Sequence, residues 1–178
     1  MSQKEITKDN LKAKAERIKL FIMDVDGVLT DGRIILGEGG QELKFFHVQD
    51  GAGIKLAQRA GIKTAIITGR SSQAVTRRAE ELDIGDVYQG IADKAAVLEE
   101  LLDKHGLSLD EAAYIGDDLT DLSILSRVGL SLTVANGVAE VKEEADYITE
   151  SLGGAGAIRE AIELVLKLQG VWTELLES

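Results

Sequence analysis

The chain has 178 residues, 44% of them hydrophobic, and it carries 31 acidic against 20 basic side chains for a formal net charge of −11. This length predicts a single domain over residues 1–178, and the acidic balance, with no block of Lys or Arg, argues against nucleic acid as a partner. The sequence has no cysteine, no apolar signal-peptide core at its start and no apolar run near the ~20 residues that span a bilayer, so we exclude a thiol nucleophile and expect a cytoplasmic protein with no membrane partner.

The first predicted strand, residues 18–25, is an apolar run that ends abruptly in Asp24-Val25-Asp26-Gly27. Such a run is typical of a buried parallel strand that leads into a site loop. The next stretch, at about 32–49, predicts a β-hairpin insertion. Its parts are extended segments at 33–36 and 42–48 and a glycine-rich turn at 37–40.

The rest of the chain alternates between helices and strands, and polar residues follow the strand ends. A helix ends near Gly61, and a strand over 62–67 leads into Thr68-Gly69-Arg70. Ser108 and Glu111 match a capping box that begins a brief helical turn. The predicted helices are 72–82, 93–105, 119–128, 138–144 and 157–168, the strands are 87–88, 112–115, 130–134 and 147–148, and the tail is 169–178.

Strands separated by helices of this length imply right-handed crossovers. We therefore predict an α/β fold, a Rossmann-like doubly wound parallel sheet with helices on both faces and a small β-hairpin insertion. Ligands of such folds bind at the carboxyl ends of the strands.

Carboxylates at two strand ends point to phosphoryl transfer. Asp24 and Asp26 are two apart in an extended stretch and can face one space, and Asp117 ends another strand. A bound Mg²⁺ would relieve their repulsion, because this cation prefers oxygen ligands and bridges carboxylate and phosphate. Asp24 could then act as nucleophile and Asp26 as general acid and base.

The Thr68 hydroxyl and the Lys94 ammonium are candidates to stabilise charge on the phosphoryl oxygens. Each motif alone has a simpler interpretation. The Asp24 to Gly27 string is a common turn, Thr68 to Arg70 a strand-to-helix turn, Lys94 a solvated first-turn lysine, and Asp117 part of a helix N-cap pair. A calcium loop is excluded, since Ile35 stands where that loop needs a glutamate.

The order of these motifs, however, resembles the four motifs of the haloacid dehalogenase superfamily. Within it the chain resembles the capless 3-deoxy-D-manno-octulosonate 8-phosphate phosphatase family over roughly residues 15–172. That likeness rests on residues 24–32, the hairpin in place of a cap domain, residues 47–51 and residues 153–160.

The resemblance implies a role for each matching residue. It implies Asp24 as nucleophile, Asp26 as acid and base, and Thr68 and Lys94 as phosphate ligands. It implies Mg²⁺ bound by Asp24, the Asp26 backbone carbonyl and Asp117, with Asp121 orienting Lys94 or the metal ligands. The expected substrate-binding residues are Gly69, Arg70, His47 and Asp50.

The same resemblance implies a homotetramer in which hairpins associate and a neighbour closes the site. The hairpin is too apolar and too small to stand alone in water; the alternative is that it folds back on its own domain. The tail at Gly170-Val171-Trp172 is either a frayed end or a mobile segment that reaches a neighbour's site. The apolar hairpin residues are Ile34, Ile35, Leu36, Leu43, Phe45 and Phe46.

Two positions depart from the family pattern. Gln49 stands where the family commonly has Arg, which removes one cation that could hold a sugar carboxylate, and Arg70 is the candidate replacement. Val171 stands where a Lys commonly begins the tail.

The first functional hypothesis is hydrolysis of 3-deoxy-D-manno-octulosonate 8-phosphate, a small acidic sugar phosphate, in lipopolysaccharide precursor synthesis. The alternative substrate is a nonulosonate 9-phosphate. A non-enzymatic module that stores a phosphoryl group on Asp, or a degenerate phosphosugar-binding domain, would require a long-lived phosphoprotein or ligand binding without phosphate release.

Overall fold

The computed structural model describes residues 6–177, which share one six-stranded parallel sheet and its covering helices. The sheet order is β5-β4-β1-β6-β7-β8, and β2 pairs with β3 in a separate antiparallel hairpin. Numbered along the chain, the strands are β1 (Leu20–Met23), β2 (Ile35–Leu36), β3 (Glu42–Leu43), β4 (Lys63–Ile67), β5 (Asp86–Tyr88), β6 (Ala112–Gly116), β7 (Leu130–Thr133) and β8 (Tyr147–Ile148).

Eight helices accompany these strands within residues 6–177, and they cover both faces of the sheet. None of them is both long and apolar enough to traverse a bilayer. They are α1 (Lys8–Ala15), α2 (Val48–Arg59), α3 (Gln73–Glu81), α4 (Lys94–His105), α5 (Leu122–Leu125), α6 (Ala139–Glu144), α7 (Ala157–Leu168) and α8 (Trp172–Glu177).

Strand β1 is buried on both faces because its side chains alternate between two cores. Phe21 and Met23 pack with α2 and α7 on one face, and Leu20 and Ile22 pack with α4 and α5 on the other. Each fully buried side chain of this kind contributes roughly 1.5–3 kcal/mol. The predicted doubly wound sheet with helices on both faces is confirmed.

The strand order reverses at β1. The chain runs from β1 to β4 and β5 on one side, then crosses to β6, β7 and β8 on the other. The carboxyl end of β1 is therefore the switch point at which open α/β sheets bind their ligands.

Several element boundaries differ from the sequence predictions. Helix α2 already begins at Val48, so the second arm of the hairpin is shorter than the predicted segment 42–48. Instead of one helix over 119–128, a 3-10 turn (Leu119–Asp121) precedes the short α5. This turn is tightened because the Asp121 side chain accepts the backbone N–H of Asp118 at 3.1 Å.

The two terminal helices were not predicted, because their few apolar residues gain stability only from tertiary contacts. In α1, the Lys14 ammonium pairs with the buried Asp146 at 2.5 Å. In α8, the Trp172 ring stacks under the cations of Arg159 and Lys167. In this chain the tail therefore packs on its own α7, the helix predicted at 157–168.

Candidate active site

The predicted nucleophile lies at the switch point. Met23, the last residue of β1, pairs with Ile66 of β4 and Ile115 of β6. Asp24 follows directly, and its backbone N–H donates to the Ile115 carbonyl at 3.1 Å. Because the strands are parallel, the residues after β4 and β6 reach the same edge of the sheet, as the sequence predicted.

Lys94 opens α4 and reaches across to this edge. Its side chain is 4% exposed, and its ammonium lies 2.9 Å from Asp24 Oδ2 and 2.7 Å from Asp121 Oδ1. Burial by itself lowers the pKa of Lys94, but the charges of Asp24 and Asp121 outweigh burial and raise it. Lys94 is therefore a fixed cation beside the predicted nucleophile.

Asp121 is in contact with Lys94, as the first of the two roles implied by the resemblance requires. It is fully buried and accepts hydrogen bonds from Lys94, from the Tyr114 hydroxyl at 2.6 Å and from the Asp117 backbone N–H at 2.9 Å. Sequence reasoning missed Tyr114, which looks like any core residue of β6. Burial, with the Asp121 charge next, raises the pKa of Tyr114 far above its ordinary value, so Tyr114 stays a donor.

The carboxylates of Asp24, Asp117 and Asp121 form a compact cluster, in which one oxygen of each lies within 4.8 Å of the others. Burial and then the Asp121 charge raise the pKa of Asp24 to about 6. Burial and then the charges of Asp24 and Asp121 raise the pKa of Asp117 to about 7. Asp117 Oδ1 is buried and has no hydrogen-bond partner within the described part of the chain. Oxygen donors with unsatisfied negative charge fit a divalent cation such as Mg²⁺.

The cluster leaves no space for a side chain at Gly27, in the loop that follows β1. Gly27 has φ +90, and a Cβ there would lie 2.1 Å from Asp117 Oδ2. Gly153, in the loop before α7, lies so close that a Cβ would be 1.7 Å from the Gly27 carbonyl oxygen. These contacts explain why glycines stand in both motifs that carried the resemblance.

Thr68 follows β4 and is 2% exposed. Its backbone N–H donates to the Tyr88 carbonyl at 2.9 Å, and its carbonyl accepts from Ile91 at 3.1 Å, so the loop that bears its hydroxyl is held on both sides. Gly69 comes next, and a Cβ there would make only ordinary contact.

The carboxylate of Asp26 does not belong to the cluster of three. It pairs instead with Lys44, next to β3, while Arg70 Nε lies 3.8 Å from its other oxygen. A metal contact of Asp26 would thus come from its backbone, as the resemblance implies. Sequence reasoning missed Lys44 and Glu42; the available signal was their alternation with Leu43 and Phe45.

Two predicted substrate-binding residues lie in the opening turn of α2. Asp50 is 1% exposed and accepts the backbone N–H groups of Gly156 at 3.4 Å and Arg159 at 2.9 Å, so it caps α7. Burial raises the pKa of Asp50, although these hydrogen bonds oppose the rise. This geometry supports a structural role for Asp50. His47 has a buried Nδ1 that finds no hydrogen-bond partner among residues 6–177.

Comparisons with known proteins agree with this geometry. The family model for haloacid dehalogenase-like hydrolases matches residues 82–162. The 3-deoxy-D-manno-octulosonate 8-phosphate phosphatase KdsC of Escherichia coli K12 is 46% identical over 158 residues, 89% of this chain and 84% of its own.

Two solved structures are also similar. The Moraxella catarrhalis 3-deoxy-D-manno-octulosonate 8-phosphate phosphatase, in complex with magnesium ion, phosphate ion and KDO, has a TM-score of 0.94 and 46% identity, covering 96% of this chain and 98% of that one. The cobalt-bound Haemophilus influenzae phosphatase has a TM-score of 0.86 and 39% identity, covering 88% and 92%.

Proposed function

Because the chain belongs to the 3-deoxy-D-manno-octulosonate 8-phosphate phosphatase family of haloacid dehalogenase-like hydrolases, we propose that it hydrolyses 3-deoxy-D-manno-octulosonate 8-phosphate to the free sugar acid and phosphate. The observation that carries this proposal is the buried pair of Asp24 and Lys94 beside Asp117. The reaction would serve lipopolysaccharide precursor synthesis in the cytoplasm.

The first half-reaction transfers the phosphoryl group to the protein. An oxygen of Asp24 attacks phosphorus, and the bond from phosphorus to the sugar oxygen breaks as an aspartyl-phosphate forms. Asp26 gives its proton to the departing sugar oxygen, a contribution typically worth about 10²–10⁴ in rate. Lys94 and the Thr68 hydroxyl hold the phosphoryl oxygens.

The second half-reaction returns the protein to its starting state. Asp26, now ionised, takes a proton from a water molecule as that water attacks phosphorus. The bond between phosphorus and Asp24 breaks, and inorganic phosphate leaves. Asp24, the Asp26 carbonyl and Asp117 would hold Mg²⁺, which supplies positive charge that offsets the negative charge of the phosphate.

Phosphate release tests this proposal. We expect the wild-type protein with Mg²⁺ to release phosphate from 3-deoxy-D-manno-octulosonate 8-phosphate faster than from a nonulosonate 9-phosphate, and EDTA to stop release. Asp24→Asn should abolish turnover. Asp103→Asn, an exposed aspartate of α4, is the matched control and should keep full activity; equal rates for Asp24→Asn and the control would remove Asp24 from the mechanism.

The family likeness also leads us to propose a homotetramer that assembles through the hairpin. Four of its six apolar side chains, those of Ile34, Leu36, Leu43 and Phe45, are exposed. Leu36 is 69% and Phe45 66% exposed, whereas Phe46 packs on the core. An exposed apolar patch on so small an element favours burial by another chain. Phe45→Ser should shift the sedimentation coefficient toward the monomer, whereas an unchanged coefficient would place the interface elsewhere.

A further inference from the structure

In strand β3 and the two residues that follow it (42–45), charged side chains point inward and apolar side chains point outward. This is the reverse of the usual alternation in a strand. The Lys44 side chain is 1% exposed and that of Glu42 is 13% exposed, while Leu43 and Phe45 are 46% and 66% exposed. Lysine is almost never fully buried unless it is paired. The inward position of Lys44 therefore reflects a specific interaction.

The partners of Lys44 form a closed ring of alternating charge. Its ammonium contacts Asp26 Oδ1 and lies 3.0 Å from Glu42 Oε1. Arg70 completes the ring, because its guanidinium lies 3.3 Å from the same Glu42 oxygen and 3.8 Å from Asp26 Oδ2. Two carboxylates thus offset two cations, which makes the burial of Lys44 tolerable.

The two carboxylate oxygens of Asp26 have different contacts in this ring. Oδ1 is held by Lys44, whereas the distance from Oδ2 to Arg70 exceeds hydrogen-bond length. A general acid or base must lie within hydrogen-bond distance of the atom with which it exchanges a proton. A carboxylate that could rotate freely about its last bond would spend part of its time out of line.

We propose that Lys44 is a positioning residue for the acid and base of this site: it fixes the Asp26 carboxyl group through Oδ1 and leaves Oδ2 as the oxygen that faces the reacting oxygen of the substrate. The inference rests on the proposed function, in which Asp26 protonates the leaving group. It gives the hairpin a part in catalysis, because the strand that exposes Leu43 and Phe45 also supplies the contact to Asp26.

The test compares two phosphate esters that differ in their need for a proton. Glycerol phosphate releases an alkoxide, which must be protonated, whereas p-nitrophenyl phosphate releases a stable phenolate. In Lys44→Met we expect kcat/KM for glycerol phosphate to fall about 10–100-fold, and that for p-nitrophenyl phosphate to stay within about threefold. Because kcat/KM excludes the later hydrolysis of the aspartyl-phosphate, it isolates the acid step.

The base step gives a second signature. Slow hydrolysis of the aspartyl-phosphate in Lys44→Met should produce a burst of about one p-nitrophenolate per active site. Asp26→Asn should show the same selectivity, and the double variant should be no worse than Asp26→Asn alone, since both residues act in one step. Lys55→Met, at an exposed ion pair with Asp83, is the matched control and should behave as wild type.

Each other result overturns the inference. Equal losses on both esters mean a general disturbance of the site, no loss on either means that Lys44 is structural, and additive losses mean that the two residues act separately. Lys44→Gln, which places no apolar group between two carboxylates, answers the same question if Lys44→Met fails to fold. Neither ester contains the sugar acid, so a wild-type protein inactive on the sugar phosphate would refute the proposed substrate alone.

Discussion

In the absence of a divalent cation, the free energy of unfolding should fall as the pH rises. The reason is that no metal ion then offsets the negative charge that develops on the buried carboxylate cluster. The folded-state pKa of Asp24 is raised to about 6 from an ordinary 3.8. The folded protein therefore binds more protons than the unfolded chain in this range, and its free energy of unfolding must fall as the pH rises toward 6 and level off above it. Asp117, with a pKa of about 7, extends the fall in the same direction.

The size of the effect follows from the Asp24 pKa. Since a tenfold change in acidity corresponds to about 1.36 kcal/mol, the rise disfavours the ionised folded state by roughly 3 kcal/mol, of which about half falls between pH 5 and pH 8. A divalent cation should reverse this loss, because it binds the ionised cluster of the folded protein and not the unfolded chain.

Urea unfolding at pH 5 and pH 8, in EDTA and in Mg²⁺, measures both effects. In EDTA we expect the protein to be less stable at pH 8 by roughly 1–2 kcal/mol or more, and in Mg²⁺ we expect this difference to shrink or change sign. Asp24→Asn should remove most of the Asp24 contribution in EDTA. If that variant kept the full pH dependence of the wild type, or if Mg²⁺ stabilised both pH values equally, the carboxylate cluster would not be the source.

Three further substitutions test individual contacts, two at the candidate site and one between the tail and α7. Tyr114→Phe leaves the buried Asp121 with one donor fewer, so urea unfolding should show a loss of about 1–3 kcal/mol, and no loss would mean that the other donors suffice. Gly153→Ala should lower kcat at least about tenfold because its Cβ collides with the site loop, whereas Gly85→Ala meets nothing within 4 Å and should be silent. Trp172→Ala removes two cation contacts and apolar packing and should lower the free energy of unfolding by about 1–3 kcal/mol; unchanged stability would show that the tail does not pack on α7.

The order of the strands and helices could be predicted from the sequence because the sequence signals for these elements are local. A buried strand of a parallel sheet is a short apolar run, and a helix end is marked by caps such as Asp93 before α4 and Gly106 after it. Helix α7 matches its predicted range of 157–168 for the same reason, since one face of that segment is continuously apolar. The capping box at Ser108 and Glu111 is also present as predicted.

Helices that depend on distant partners could not be read in this way. Most helical stability in a protein comes from packing on the rest of the fold, and a segment of six to eight residues has little of its own. No sequence signal near α1 indicates that Lys14 pairs with Asp146. Likewise, no sequence signal near α8 indicates that cations flank the Trp172 ring.

For the candidate site, the sequence by itself determined which residue types stand at the ends of β1, β4 and β6, because parallel strands must bring their carboxyl ends to one edge. Only the tertiary structure decided how those groups pair: Lys94 with Asp24, Tyr114 with Asp121, and Lys44 with Asp26. Pairing depends on distances and burial between segments far apart in the chain, and spacing along a sequence carries no measure of either.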